Sequence, residues 1–182
     1  MQFNPNSAAS PLIKYQFGGD PGCVTIAGDS AGAAAVTLHL TAYGGRDDGL
    51  FHAAAAESQS FGAQFTVEES QYQYDALVER VGCSNANDTL FCLRALPVAD
   101  IIAENFNILT PGGGPEPPLF MYSNVIDGNF TVDYTYKLYT EGNFVKVPVI
   151  FGDATNEGSI FAFTNISTYQ VACTTRANFS IS

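Results

Sequence analysis

The feature that most constrains the fold of this sequence is a short β-prone run that passes through a glycine-flanked serine into an alanine-rich segment. Residues 24–27 (VTIA) follow the turn-prone FGGDPG, and residues 30–40 (SAGAAAVTLHL) are typical of a buried helix. A strand, a tight turn and a helix begin a βα unit. Residues 147–151 (VPVIF) predict a second buried strand. The alternation of strands and helices predicts an α/β fold with a mostly parallel central sheet flanked by helices.

Weaker signals place further elements between these two strands. Residues 50–57 (LFHAAAAE) fit a strand or a helix equally well by their periodicity. Thr66 and Glu69 have the spacing of a helix capping box, and the predicted helix ends at Gly82. Two more helices are expected over residues 97–102 and 132–140, and a loop is expected over residues 111–118.

The residues Gly28-Asp29-Ser30-Ala31-Gly32 form a G-x-S-x-G motif at the predicted strand-to-helix turn. A serine at such a turn has a strained backbone, and flanking glycines avoid clashes. The turn exposes the hydroxyl at a helix N-terminus, where developing negative charge is favoured, and the next amide can donate to the oxyanion of a tetrahedral intermediate. The motif predicts that Ser30 is a nucleophile with Ala31 as an oxyanion donor. The alternative is a tight turn with an N-capping serine.

A nucleophilic serine needs a base and an acid that orients it, and in this type of fold the acid and then the histidine follow the serine. Glu157 and Asp153 both lie in the loop after the second predicted strand, and spacing alone does not choose between them. His39 is roughly 14 Å from Ser30 by helix rise, and His52 also precedes the acid. The base is therefore expected beyond the last residue of the chain.

The composition excludes several classes of function. The formal net charge is −11, and the seven Lys and Arg residues form no cluster, so nucleic-acid binding is not expected. No stretch reaches the roughly 18 apolar residues of a transmembrane helix. No cluster of metal ligands or phosphate-binding loop stands out, so neither a metal nor a cofactor is expected.

Two features indicate a secreted protein. Cys83 and Cys92 lie close together and predict a small disulfide loop, whereas Cys23 is expected to be buried and Cys173 is unassigned. Four N-glycosylation triplets occur, at Asn87, Asn129, Asn165 and Asn178. The first ten residues do not resemble a signal peptide, so we expect the native N-terminus to lie upstream.

With these motifs in view, the chain resembles the type-B carboxylesterase/lipase family of α/β-hydrolases, which includes cholinesterases and secreted fungal lipases. The resemblance is carried by FGGDPGCVTIAGDSAGA, LFHAAAAESQS, VGCSNANDTLFCLRALP, VIDGNF and KVPVIFGDATNEGSIF. It implies a partial hydrolase domain over residues 17–182, after an irregular segment over 1–16, and a small-molecule or lipid ester as substrate. The family's glycine-rich oxyanion loop and its histidine are not found, so a central fragment that is nearly inactive alone is expected.

The resemblance also implies individual roles. Ser30 matches the nucleophile, Glu157 the triad acid, and Ser58 a serine that hydrogen-bonds this acid. Asp29 stands where many members have glutamate, and Gln59 stands where glycine is usual and is expected to crowd Ser58. The resemblance further assigns Ala31 to the oxyanion hole and Cys83 and Cys92 to a family disulfide. The alternatives are a non-catalytic adhesion module with the same fold and the product of a truncated gene.

Overall fold

A computed structural model of the protein describes residues 18–59, 64–113 and 120–161, with only the backbone at residues 160 and 161. The predicted irregular segment over 1–16 lies outside these residues. The described residues separate into two compact units, one comprising 18–59 with 128–161 and the other 64–113 with 120–127. The elements in chain order are β1 (Thr25–Asp29), α1 (Ala31–Gly45), β2 (Ala53–Glu57), β3 (Phe65–Thr66), α2 (Val67–Arg80), α3 (Thr89–Ala95), α4 (Val98–Glu104), β4 (Val125–Ile126), α5 (Thr135–Glu141), β5 (Val149–Gly152) and α6 (Gly158–Phe161).

The first unit contains a three-stranded parallel sheet in the order β1-β2-β5. Its register aligns Ala27 with Ala55 and Ala55 with Ile150. Because each connection between parallel strands must cross from one end of the sheet to the other, helices lie between them in sequence. The parallel sheet with its flanking helices confirms the predicted α/β class.

Helix α1 covers one face of this sheet. Ala33, Val36 and Leu40 are buried against the alanine side chains of β2 at positions 54 and 56. Small side chains on the strand let the helix lie close to the sheet. The helical backbone breaks near the end of α1, at residues 42–44, where the Tyr43 amide donates to the Phe130 carbonyl at 2.9 Å.

The second unit is built around α2 and a disulfide. The capping box predicted for α2 is present, since the Thr66 hydroxyl accepts from the Glu69 amide and the Glu69 carboxylate accepts from the Thr66 amide. Cys83 and Cys92 form the predicted disulfide. Cys83 is buried in a small apolar cluster with Val78 and Leu93, and Cys92 packs against this cluster. Strands β3 and β4 pair in parallel in this unit.

Some predicted boundaries and one burial prediction differ from the structure. The helix expected over 132–140 runs from Thr135 to Glu141, because the Tyr134 backbone, with ψ 131°, is not helical. Pro97 is the N-cap of α4 and not its first residue. The strand expected over 147–151 runs from Val149 to Gly152. Cys23 was expected to be buried and is exposed, since it precedes β1 in a turn at the surface.

Two further predictions concern residues 50–57 and residues 111–118. Residues 50–57, which fitted either element, contain a strand from Ala53. Of the loop predicted over 111–118, residues 111–113 form a turn and the remainder lies outside the described residues. Among the helices of the described residues, none has the length and apolar character that crossing a membrane requires.

Candidate active site

Ser30 occupies the turn between β1 and α1. Its backbone has φ 55° and ψ −119°. Residues other than glycine rarely adopt a positive φ of this kind. The Ser30 amide donates to the Glu57 carbonyl at 3.0 Å, which ties the turn to the neighbouring strand β2. The Ser30 side chain makes no capping hydrogen bond to α1. The alternative of an N-capping serine therefore lacks its defining contact.

The two glycines of the motif have different surroundings. A Cβ atom at Gly28 would lie 2.2 Å from the Gly32 carbonyl group and 2.8 Å from the Ala33 nitrogen. Glycine is thus required at position 28 because the helix passes directly over the end of the strand. Within the described part of the chain, and apart from the chain neighbours of Gly32 and the backbone of its own helix, no heavy atom lies within 4 Å of a Cβ built at that position. The expected clash is present at Gly28 and not at Gly32.

Ala31 and Asp29 flank the serine on its two sides. Ala31 is the first residue of α1, and amides of the first turn have no acceptor inside their own helix. The Ala31 amide is accordingly available at the positive end of the helix dipole. Asp29 is the last residue of β1, is exposed, and stands beside Glu57 in the sheet register.

Ser58, which follows β2, hydrogen-bonds Glu157, which lies in the segment after β5. The Ser58 amide donates to the Gly152 carbonyl at 2.8 Å, and its φ of 52° is also left-handed. Hydrogen bonds from the Ser58 side chain and from the Ala154 amide, which lies 2.9 Å from Glu157 Oε1, hold the pKa of Glu157 below its ordinary value. The carboxylate is therefore oriented and kept ionised by two donors. Asp153, the rival acid, is exposed.

All three strands direct their carboxyl ends to the same edge of the sheet. Ser30 follows β1, Ser58 follows β2, and Glu157 lies in the segment after β5. Neighbouring strands are about 4.8 Å apart, so the ends of β1 and β5 are separated by roughly 10 Å with β2 between them. The carboxyl ends of the three strands therefore bring Ser30, Ser58 and the segment with Glu157 to one edge of the sheet.

Neither histidine of the sequence reaches this edge. His39 is nine residues along α1 from Ser30, roughly 14 Å by helix rise, and its ring makes an edge contact with Phe130 at 5.6 Å between centroids. Burial lowers the pKa of His39. His52 precedes β2, at the opposite end of the sheet, and so lies roughly 20 Å along the strand direction from Ser58.

The structure adds one residue that the sequence reasoning missed. The Thr37 hydroxyl, on the buried side of α1, donates to Gln59 Oε1 at 2.5 Å. The Gln59 side chain is thus directed toward α1, and the expectation that it crowds Ser58 is not supported by this contact. A buried threonine among the alanine, valine and leucine residues of α1 was the signal that could have drawn attention to Thr37.

The predicted modification sites are partly described. Asn87 and Asn129 are exposed, whereas Asn165 and Asn178 lie outside the described residues. Cys173, which the sequence left unassigned, also lies outside them. No group of three or more His, Cys, Asp and Glu side chains that could hold a metal ion is found among the residues with described positions.

Comparison with known proteins agrees with this architecture. A model of the carboxylesterase family matches residues 13–181. The chain is 36% identical over 167 residues to secreted lipase 1 of Botryotinia fuckeliana (strain B05.10), covering 84% of this chain and 28% of that protein. It is 33% identical over 154 residues to an acetylcholinesterase of Myxine glutinosa, covering 81% of this chain and 44% of the relative.

Among solved structures, Aspergillus niger EstA superposes with a TM-score of 0.84 at 42% sequence identity. The match covers 94% of this chain and 33% of the EstA chain. The chain therefore spans about a third of the length of this structural relative. Its described residues form part of an α/β-hydrolase fold. On the family match and these likenesses, the protein belongs to the carboxylesterase family.

Proposed function

We propose that the longer protein corresponding to this chain hydrolyses carboxylic esters through an acyl-enzyme on Ser30. The observation that carries the proposal is the left-handed Ser30 at the carboxyl end of β1, on the same sheet edge as the segment with Glu157. Membership of the carboxylesterase family, with relatives named as lipases and an acetylcholinesterase, supports the reaction class. The substrate is a small-molecule or lipid ester.

In the proposed reaction, the Ser30 hydroxyl oxygen attacks the ester carbonyl carbon while a histidine takes the hydroxyl proton. The carbonyl oxygen becomes an oxyanion, and the Ala31 amide donates to it. When the intermediate collapses, the bond to the alcohol oxygen breaks and the histidine returns the proton to the departing alcohol. Water then attacks the acyl-enzyme by the same route and releases the carboxylic acid.

Glu157 has the role of orienting the histidine and stabilising its protonated form. A carboxylate performs this role only while ionised, and the donors at Ser58 and Ala154 lower the pKa of Glu157. Ser58 acts through Glu157 and not on the substrate. The backbone bond from Ser58 to Gly152 supports this arrangement because it links the ends of β2 and β5.

The base is a histidine outside these 182 residues. The chain has two histidines, and the positions of His39 and His52 put both beyond proton-transfer distance of Ser30. The chain by itself is accordingly proposed to be nearly inactive. Assaying the 182-residue chain on an activated ester tests this point, since turnover that disappears with Ser30→Ala would show that no further residue is needed.

The decisive experiment compares the full-length protein with its Ser30→Ala variant. A fluorophosphonate probe phosphonylates an activated serine, so we expect rapid labelling of the native protein and no labelling of Ser30→Ala at the same site. Ester hydrolysis should fall by at least about 10³-fold in the variant, as removal of a catalytic serine does elsewhere. A folded full-length protein that neither reacts with the probe nor hydrolyses esters would instead be a non-catalytic binding module of the same fold.

We further propose that the full-length protein is extracellular and glycosylated. The disulfide between Cys83 and Cys92 fits an oxidising compartment, and the relative from Botryotinia fuckeliana is named a secreted lipase. Asn87 and Asn129 are exposed and accessible for glycan attachment. Expression through a eukaryotic secretory route, followed by enzymatic removal of N-glycans, should give a loss of mass that Asn87→Gln and Asn129→Gln each reduce.

A further inference from the structure

The hydrogen bond between Thr37 and Gln59 links the two halves of the proposed catalytic apparatus. Thr37 lies in the helix that begins next to the nucleophile, and its side chain is 1% exposed. Gln59 directly follows Ser58, which donates to Glu157. Thr37 Oγ1 lies 2.5 Å from Gln59 Oε1 and 3.1 Å from the Ala33 carbonyl oxygen, and because the hydroxyl has a single proton, the shorter contact to Gln59 is the stronger bond. This hydrogen bond therefore connects α1, which begins beside Ser30, to the loop whose Ser58 donates to Glu157.

The backbone at Ser58 explains why this link matters. Ser58 has φ 52°, a conformation that an L residue adopts only when its surroundings impose it. On one side, the Ser58 amide is bound to the Gly152 carbonyl of β5. On the other side, the next residue is held by Thr37. If either hold is lost, the Ser58 backbone can relax toward a common conformation, which turns its hydroxyl away from Glu157.

We propose that Thr37 and Gln59 are positioning residues for Glu157. They hold the loop after β2 against α1, so that the Ser58 hydroxyl stays directed at the acid. This inference rests on the proposed function, because it concerns the alignment of the acid in ester hydrolysis. Neither residue touches substrate, and each acts through Ser58.

Tyr139 is a titratable residue beside Thr37. From α5, the buried Tyr139 hydroxyl approaches Thr37 without making a hydrogen bond of good geometry. Burial raises the pKa of Tyr139 to about 12, partly opposed by the nearby Thr37 hydroxyl. Tyr139 therefore remains a neutral phenol throughout the range in which a histidine and Glu157 titrate. A change in pH dependence on altering Thr37 would report on the acid and the histidine.

The test uses the full-length protein with Thr37→Val, which replaces the hydroxyl by a methyl group of similar size, and with Gln59→Leu. We expect each change to lower kcat about tenfold with little change in KM, less than the roughly 100-fold that a 1 Å misplacement at an active site can cause. The double variant should lose no more than either single variant because both remove the same bond. Thr37→Ser keeps the hydroxyl and should restore most of the rate.

The pH profile separates positioning from general destabilisation. A well-aligned carboxylate raises the pKa of a neighbouring imidazole, so a misaligned Glu157 should shift the acid limb of kcat/KM to lower pH in Thr37→Val. Thr41→Val is the matched control, since Thr41 is buried one turn further along α1 and its hydroxyl donates to the backbone carbonyls of Thr37 and Leu38 in the same helix. This control should retain the native kcat and pH profile.

The outcomes distinguish this inference from the proposed function. If Thr37→Val and Gln59→Leu keep the kcat and pH profile of Thr41→Val while Ser30→Ala is inactive, the positioning role is wrong and the proposed function stands. If Ser30→Ala hydrolyses esters at the native rate, the proposed function is wrong, and the inference falls with it. Should Thr37→Val fail to fold, the exposed Gln59 still decides the matter, because its replacement leaves the core unchanged.

Discussion

Gly28 and Gly32 flank Ser30 in one motif, yet only Gly28 is enclosed by backbone atoms. We predict that Gly28→Ala destabilises the full-length protein by about 3 kcal/mol, because the added methyl would overlap the Gly32 carbonyl and the first turn of α1 must move. Gly32→Ala, the matched control, should change the free energy of unfolding by less than about 1 kcal/mol. Chemical denaturation measures both values. Equal losses in the two variants would contradict the structural assignment.

Glu157 provides a second prediction at the residue scale. Its pKa in the folded chain is lowered by Ser58 and by the Ala154 amide. Because the folded pKa lies below the unfolded one, these contacts stabilise the fold above the ordinary pKa of 4.5, and the effect is lost as the pH falls through the folded pKa. Compared with the parent, Ser58→Ala should therefore lose more unfolding free energy at pH 7 than at a pH below the folded pKa of Glu157.

Ser159→Ala is the control for this pH dependence. The Ser159 hydroxyl donates to the backbone carbonyl of Asn156 at 2.8 Å, and a carbonyl does not titrate. The effect of Ser159→Ala on unfolding should be the same at both pH values. Denaturant titrations of the two variants and the parent across this range measure the difference. A deficit in Ser58→Ala that is independent of pH would mean that Ser58 does not hold the ionised carboxylate.

At the scale of secondary-structure elements, the disulfide connects Cys83, in the segment just after α2, to Cys92 in α3. It closes a loop with a sequence separation of nine residues. The chain-entropy relation for a loop of this length gives about 2.7 kcal/mol, so we predict that Cys83→Ala/Cys92→Ala lowers the unfolding free energy by about 2–3 kcal/mol. Cys23→Ala, which alters an exposed thiol, should have no measurable effect. Denaturant unfolding under non-reducing conditions compares them.

Strand β2 shows why some elements could not be predicted from their own residues. Residues 53–56 are four consecutive alanines, so the segment has no alternation of apolar and polar side chains. Alanine is also the best helix-forming residue. It is a strand because β1 and β5 satisfy its backbone hydrogen bonds from both sides. By contrast, α2 was predictable because Thr66 and Glu69 satisfy its first amides locally.

At the scale of the whole molecule, the outer strands of the sheet in the first unit can pair with the strands of a second copy of the chain. Within the described residues, β1 and β5 are the outer strands, and Ile150 and Phe151 are 74% and 55% exposed. We predict that the isolated 182-residue chain self-associates through these strands. Light scattering should show less association for Ile150→Glu than for Gln71→Glu, which adds the same charge on α2. A monomeric native chain with a cooperative melting transition would contradict this prediction.

The sequence by itself determined the turn at Ser30, the capping box of α2, the disulfide pair and the α/β class. Each of these depends on neighbours within a few residues or on a repeating pattern, where local backbone geometry and hydrogen bonding decide the outcome. Only the tertiary structure decided that β2 lies between β1 and β5 and that Thr37 reaches Gln59. These contacts join residues distant in sequence, so they exist only once the parallel strands have brought their carboxyl ends to one edge.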